Sequence, residues 1–427
     1  MEQVFRATRS VCPICMQTIP ARLMERDGEL YMVKDCPEHG QFETIIWRGK
    51  VNIEKWLGGV QPMMGDEGAR CPADCGLCEE HRRGTCCTVL ELTTRCNLAC
   101  RYCFAAAGGG EDRPLEDIRR DLKALTVPGK TLVQLSGGEP TVRDDLPEII
   151  RYAAECGCKY IQLNSNGVRL AADEDYVRTL AEAGLSFVFM QFDGISDDVY
   201  RTIRGRELWK EKLRAIVNCS KYNLGVVLVV TVVPGVNDGM LGDILRFGVG
   251  MSPSVRGIHF QPVTYMGRSP AGPADDRRMT LDELIDALVQ QSDGLIQPEN
   301  LAPSRCDHPL CGFHGDFVAA QGQLKPLTHW TGEEKPCEAT ADQNREFVGR
   351  RWQRPAGECC CSPDMSTLDG FLDSVKHYGF TVTSMAFQDA GNFDIERLRY
   401  CSTHVYKDGR FIPLCANYLL ADREKKA

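Results

Sequence analysis

The chain has 427 residues, 43% of them hydrophobic and 26% charged, with a formal net charge of −9 and a pI near 5.5. This length exceeds one small core and points to two or three structural units. The acidic balance argues against nucleic acid as an obligate partner, because phosphate binding needs a basic footprint. The 22 cysteines are well above ordinary usage. No basic-then-apolar leader stands between Met1 and Pro20, and the longest apolar run, near Val226 to Val233, is strand-sized. A cytoplasmic protein, not integral to a membrane, is therefore expected. In a reducing cytosol, clustered cysteines read as metal ligands rather than disulfides.

Residues 1–84 read as a small unit stapled by metal, with little core of its own. Cys12-Pro-Ile-Cys15 and Cys36-Pro-Glu-His39 form two knuckles. A hairpin over Leu23–Val33, turning at Asp27-Gly28, separates them. Such a ribbon suits tetrahedral zinc or a rubredoxin-like iron, with His39 or a more distant cysteine as fourth ligand. Cys71, Cys75 and Cys78 follow in Cys-Pro-Ala-Asp-Cys-Gly-Leu-Cys. They are assigned to an auxiliary iron–sulfur cluster, completed by Cys86, Cys87 or a C-terminal cysteine; zinc is the alternative occupant.

Residues 85–270 alternate apolar β-type runs with amphipathic helical stretches. The runs are Thr88–Leu92, Thr131–Leu135, Tyr160–Asn164, Phe187–Gln191, Gly225–Val233 and Ile258–Pro262. Helical patterns lie between them at Leu146–Ala154, Asp175–Ala183 and Leu208–Asn218. The class is α/β, a partial (βα)6 TIM-type barrel, and functional residues are expected at the C-terminal ends of its strands. Cys156, Cys158 and Cys219 read as small buried hydrophobes.

Directly after the first run comes Thr94-Arg95-Cys96-Asn97-Leu98-Ala99-Cys100-Arg101-Tyr102-Cys103-Phe104. Three thiolates on a loop this short can wrap three corners of a cubane iron–sulfur cluster and leave the fourth iron open. Cys71, Cys75 and Cys78 share this spacing, but no barrel strand precedes them and no aromatic precedes Cys78. The Cys-x3-Cys-x-aromatic-Cys pattern, with Tyr102 as the aromatic, resembles the hallmark of the radical S-adenosylmethionine (SAM) superfamily. The resemblance implies a SAM-binding [4Fe–4S] cluster on Cys96, Cys100 and Cys103. It also implies SAM contacts at the strand ends in order. Ser136-Gly137-Gly138-Glu139-Pro140 would pair with the SAM amino group. Asn164-Ser165-Asn166-Gly167 would lie near its ribose or carboxylate. Gln191-Phe192-Asp193-Gly194 and Arg204-Gly205 resemble a "DG…RG" pattern. In that pattern Asp193 contacts SAM or substrate and Arg204 pairs with a carboxylate; a structural salt bridge is an equal reading of both.

Residues 271–427 open with a Pro-, Gly- and Asp-rich loop. A helix begins at the capping box Thr280/Glu283, another spans Leu368–His377, and the rest reads as irregular and punctuated by cysteine. This is expected to be an auxiliary-cluster domain flanking the barrel, with Cys306, Cys311, Cys337, Cys401 and Cys415 as preferred ligands. The run Cys359-Cys360-Cys361 reads as one ligand with bystanders, or as a redox or sulfur-handling site.

The order of these features narrows the resemblance. The Cys-Pro-x-Cys…Cys-Pro-Glu-His-Gly ribbon is followed by Cys-Pro-x-x-Cys-Gly-x-Cys and the radical SAM motif. The C-terminal Phe387-Gln388-Asp389…Asn392-Phe393-Asp394…Arg399-Tyr400-Cys401…Gly409-Arg410-Phe411-Ile412-Pro413-Leu414-Cys415 completes it. This is similar to a group that holds archaeal tetraether lipid synthase, a pterin-methylase homologue and a bacterial branch with some selenocysteine-containing members. The group implies three [4Fe–4S] clusters (one SAM-binding, two auxiliary), a mononuclear iron or zinc site, and radical attack on an unactivated C–H bond. Its product is a C–C, C–S or methylated bond. The substrate expected is a small molecule or a lipid, the latter with a membrane-peripheral location. The reductant expected is a ferredoxin or flavodoxin. The C-terminal half is shorter than expected for tetraether synthase, which weighs against a lipid. The rival readings are a methyltransferase using SAM only as an electrophile, and an electron carrier or zinc scaffold without radical chemistry.

Overall fold

The computed structural model describes residues 2–59, 71–72, 76–270, 272–355 and 365–426. Cys75 and Cys359, Cys360 and Cys361 lie outside the described residues.

The N-terminal unit is an antiparallel sheet of β1 (Glu2–Val11), β2 (Thr18–Arg26), β3 (Glu29–Cys36) and β4 (Gly40–Trp47), in that order. The hairpin turns at Asp27 and Gly28, both at positive φ (52° and 87°), as a two-residue primed turn requires. The unit is joined to the rest by charge and capping. Arg6 pairs with the buried Asp394 at 2.5 Å. The Asp282 carboxylate accepts from the Arg48 and Lys50 backbone N–H groups.

The barrel strands fall where their apolar runs predict. They are β5 (Cys87–Thr93), β6 (Leu132–Gly137), β7 (Tyr160–Ser165), β8 (Phe187–Gln191), β9 (Gly225–Val232) and β10 (Val255–Pro262). They pair in parallel, in sequence order. Helices at Leu146–Glu155, Glu174–Glu182 and Trp209–Lys221 lie between them, and Val177, Leu180, Ala215, Ile216 and Cys219 join the core on the outer face of the sheet.

The segment after residue 270 is less irregular than its sequence suggests. It adds β11 (Ala302–Pro303), β12 (Phe313–Ala320), β13 (Gln323–Pro326), β14 (Gly379–Ser384), β15 (Thr403–Lys407) and β16 (Arg410–Pro413). Two of these extend the barrel sheet in parallel at opposite edges, β14 beside β10 and β15 beside β5. The sheet order is therefore β11-β12-β14-β10-β9-β8-β7-β6-β5-β15-β16, with β13 on β12. His314, Gly315 and Asp316 interrupt the apolar run in β12, which hides it from a pattern reading. A further helix, Ala341–Trp352, is capped by the Thr340/Gln343 box. It sets Val348 and Trp352 against Leu132, Tyr160, Phe187, Phe189 and Val227, stopping the N-terminal end of the barrel. The Thr280/Glu283 capping box and the helix at Leu368–Tyr378 form as expected.

Candidate active site

A cavity of about 330 Å³ runs from the Cys96–Cys103 loop down the barrel lumen to Val348 and Trp352. Strand alternation sorts its walls into tiers. On each strand from β6 to β10, the cavity residue nearer the C-terminal end (Ser136, Asn164, Gln191, Thr231, Gln261) forms the upper tier, and the one two positions before it (Gln134, Gln162, Phe189, Val229, His259) the middle tier.

Cys96, Cys100 and Cys103 all line the upper mouth. Their loop is pinned by groups that no motif announces. Cys103 exchanges both backbone hydrogen bonds with Arg268, each 2.9 Å. The Arg268 guanidinium donates to the carbonyls of Cys100 (2.6 Å) and Ala107 (3.0 Å). Gly267, at φ +63°, passes so close that a Cβ would sit 2.4 Å from the Phe104 carbonyl oxygen. Burial pushes the Cys96 thiol up to about 11, so its thiolate forms when a metal stands beside it. Three soft sulfur donors on one short loop, facing a cavity, fit three irons of a [4Fe–4S] cluster.

Tyr102, Gly137, Gly138, Glu139, Asn164, Asn166, Gln191 and Arg204 line the cavity, whereas Pro140 and Asp193 stand behind its wall. The two glycines serve packing. A Cβ on Gly138 would meet the Arg95 carbonyl oxygen at 2.1 Å, and the Gly138 and Glu139 N–H groups donate to the Thr93 and Arg95 carbonyls. The β6 end is thereby seated on the cluster loop. The Glu139 carboxylate turns inward and accepts from Thr141 N–H and Oγ1, Ser165 Oγ and Asn166 N–H. Burial still raises its carboxyl above the ordinary range. Glu139 thus fixes the turn after β7, and Asn166 Nδ2 reaches on to Asn97 Oδ1 at 2.7 Å. Asp193 and Arg204 form a bidentate buried pair, both bonds 2.7 Å. Arg204 also donates to the Tyr102 carbonyl and to Thr231 Oγ1.

Lys212 escapes sequence reading because a lysine in an amphipathic helix reads as solvated. Its side chain is fully buried, and Nζ donates to the Asn166 carbonyl (2.5 Å) and Gln191 Oε1 (2.9 Å). Burial brings its amine down to about 7.

In the ribbon, Cys12, Cys15, Cys36 and His39 converge, their ligand atoms all within 4.8 Å of one another. The Cys36 sulfur is 3.5 Å and the Cys12 sulfur 3.7 Å from His39 Nδ1. Three sulfurs and one imidazole make a closed tetrahedral donor set of the kind zinc occupies.

Residues 90–248 match the radical SAM superfamily, and residues 4–48 match the HMPTM N-terminal zinc ribbon domain. The chain is 34% identical to 7,8-dihydro-6-hydroxymethylpterin dimethyltransferase of Methanocaldococcus jannaschii, over 98% of this chain and 94% of that one. The chain belongs to the radical SAM superfamily. Another relative is Fe-coproporphyrin III synthase of Methanosarcina barkeri, 34% identical over 48% of this chain and 51% of that one. Among solved structures, Streptococcus suis SuiB covers 50% of this chain and 48% of its own, at 14% identity and a TM-score of 0.40. The protein is a radical SAM enzyme, and a [4Fe–4S] cluster with SAM is its working cofactor. Among the described residues no helix is long and apolar enough to cross a membrane.

The candidate auxiliary cysteines among the described residues fall in separate packing groups. Cys306 lies against Cys86 and is 3.1 Å from Ser402 Oγ. The Cys337 thiol donates to the Asp307 carbonyl at 2.7 Å, and the Cys401 thiol to the Thr403 carbonyl at 3.1 Å. Cys311 lies beside the Arg397 guanidinium. Cys71 packs in the apolar cluster that holds Cys415. Cys78 is exposed.

Proposed function

We propose that this radical SAM enzyme methylates an unactivated C–H position of a small pterin-like heterocycle. The observation that carries the reading is the lumen. It opens at Cys96, Cys100 and Cys103, is lined at its other end by Val348 and Trp352, and has a volume of about 330 Å³, the size class of a small-molecule site. End-to-end similarity to a pterin dimethyltransferase supports the same substrate class. A stopped lumen weighs against paired lipid chains and so against a membrane-peripheral role; the cytoplasm is the proposed location.

Cys96, Cys100 and Cys103 would bind three irons. The Gly137-Gly138 backbone, with Asn164, Asn166 and Gln191, would hold S-adenosylmethionine on the open iron. When bound, the cluster and SAM supply a 5′-deoxyadenosyl radical able to remove a hydrogen atom from carbon. The residues around them do the positioning. Arg268 and Arg204 hold the cluster loop at Cys100 and Tyr102. Glu139 and Lys212 hold the Asn166 turn and Gln191. Leu132, Phe189 and Trp352 keep water from the lower lumen.

Two auxiliary [4Fe–4S] clusters are part of the proposal. Cys71, Cys75 and Cys78 would carry one. Cys71 packs against the same apolar cluster that holds Cys415, which favours a C-terminal cysteine over Cys86 or Cys87 as its fourth ligand. Cys306, Cys311, Cys337 and Cys401 are the remaining candidates for the second. Zinc in the ribbon and a ferredoxin or flavodoxin as electron donor complete it. The test is anaerobic turnover of the reconstituted enzyme with SAM, dithionite, a methylene or methyl donor and 7,8-dihydro-6-hydroxymethylpterin. A pterin product heavier by one methyl group supports the reading. Release of 5′-deoxyadenosine with no change to the pterin overturns it.

A further inference from the structure

The middle tier of the lumen carries a pattern that the cofactor does not use. Gln134 and Gln162 are lateral partners on β6 and β7, and both face the cavity. The Cys87 thiol donates to Gln134 Oε1 at 3.3 Å, which turns the Gln134 amide N–H groups into the lumen. Gln162 Nε2 donates to Asn164 Oδ1 at 2.9 Å, which turns its carbonyl oxygen into the lumen. Among the described residues, Gln134 bonds through its Oε1 and Gln162 through its Nε2, which leaves the other end of each amide open to the cavity. An amide edge that faces a cavity can take its hydrogen-bond partner from a ligand bound there. Rings stand beside them: Phe189, on the strand paired with that of Gln162, meets His259 edge-on at 5.6 Å and Trp352 edge-on at 4.7 Å.

The charges around the cavity are already spoken for. Its two arginines are Arg204, bidentate on Asp193, and Arg268, donating to backbone carbonyls. Of its carboxylates, Glu139 accepts from the Asn166 turn and Asp307 from Ser402 N–H and Oγ. Burial brings His259 down to about 4, so it is neutral at neutral pH.

We infer that Gln134 and Gln162 form the reading edge for the substrate ring, one donor beside one acceptor. They match a lactam edge, in which a ring C=O sits next to a ring N–H, on a flat and uncharged heterocycle. Phe189, on the next strand, and His259 supply aromatic wall beside that edge. The same lumen rejects anionic tails, because no lining cation among the described residues is free to pair with them. This deepens the proposed function and rests on it for the pterin.

The experiment is equilibrium dialysis of the anaerobic holoenzyme with SAM against three probes: 7,8-dihydro-6-hydroxymethylpterin, guanosine and GTP. Guanosine and GTP share the lactam edge of the pterin and differ from each other in charge. The expected result is competitive binding of the two neutral probes, with GTP weaker than guanosine by about tenfold or more. Gln134→Glu and Gln162→Glu, close in shape to the originals, are each expected to weaken pterin binding about tenfold, with iron content reporting that each variant has folded. GTP binding as tightly as guanosine overturns the inference. So does wild-type pterin affinity in both variants, or no binding of either neutral probe. If the pterin binds, weakens in the variants and is never methylated, the reading edge stands and the proposed reaction falls. If methylation proceeds with affinity unchanged in both variants, the reaction stands and the reading edge falls.

Discussion

Arg204→Met tests how the cluster loop is anchored. Arg204 is 7% exposed and Asp193 is fully buried. The substitution removes two charge-assisted hydrogen bonds to Asp193, each 2.7 Å, and the bonds to the Tyr102 carbonyl (3.2 Å) and Thr231 Oγ1 (2.9 Å). It leaves the Asp193 carboxylate in the interior with only the Thr231 N–H (3.3 Å) and the Gln191 amide as donors. Breaking a buried pair from one side costs about 3–5 kcal/mol, mostly through the charge left behind. That is a large part of the roughly 5–15 kcal/mol that holds a folded domain together. Asp193→Leu alone should cost a similar amount. The double variant should cost much less than the sum, by about 2 kcal/mol or more, because it buries no lone charge. Urea denaturation under anaerobic conditions, followed by circular dichroism, measures all three. A loss below about 1 kcal/mol for Arg204→Met, or strict additivity in the double variant, would refute the reasoning.

Three further expectations follow from single contacts. Lys212→Met removes the donor shared by the Asn166 carbonyl and Gln191 Oε1. The KM for SAM should rise about tenfold with iron content kept; an unchanged KM shows that Lys212 is a packing residue. In the ribbon, His39→Ala opens one corner of the Cys12, Cys15, Cys36 and His39 set. Zinc measured by mass spectrometry should fall from about one per chain toward zero after dialysis against a chelator, and full retention would place another residue at that corner. On pH, burial lowers His259 and His314 from 6.5 to about 4. Both are neutral when folded and take up a proton more readily when unfolded. Their contribution is therefore complete above about pH 6.5 and is lost as pH falls toward 4. At pH 5 each should have lost about 2 kcal/mol. Urea midpoints between pH 7 and 5 should drop accordingly, less so in His314→Gln; an equal slope in that variant removes the histidine from the explanation.

The barrel was legible because its strands are short apolar runs ended by polar turns. Each turn, Gly137-Gly138, Asn164–Gly167, Gln191–Gly194, sits at the C-terminal end of its strand. The three-cysteine loop was legible for the same local reason. What stayed hidden depends on contacts far apart in the chain. No local pattern announces that β14 and β15, about 300 residues downstream of the first barrel strand in the case of β15, pair with β10 and β5. The helix Ala341–Trp352 carries few apolar residues and gives almost no periodic signal, yet its Trp352 stops the barrel. Arg268 and Lys212 look like surface cations in sequence, and only the fold shows that the first pins the Cys96–Cys103 loop and the second stands beneath the Asn166 turn. Asp193 and Arg204 admitted a ligand role and a salt bridge equally, and the geometry joins them to each other. Glu139 shows the same shift in meaning, since its carboxylate serves the turn after β7.

The central claim is that Cys96, Cys100 and Cys103 hold a cluster that cleaves SAM. The direct measurement is electron paramagnetic resonance of the dithionite-reduced enzyme with and without SAM, alongside 5′-deoxyadenosine release. It is made on the wild type and on the Cys96→Ala/Cys100→Ala/Cys103→Ala variant. The wild type should show a reduced-cluster signal that SAM alters, and should release 5′-deoxyadenosine. The triple variant should lose that signal, about four iron atoms per chain and the release. Deoxyadenosine formed by the triple variant, or zinc held by these three cysteines in the wild type, would contradict the account.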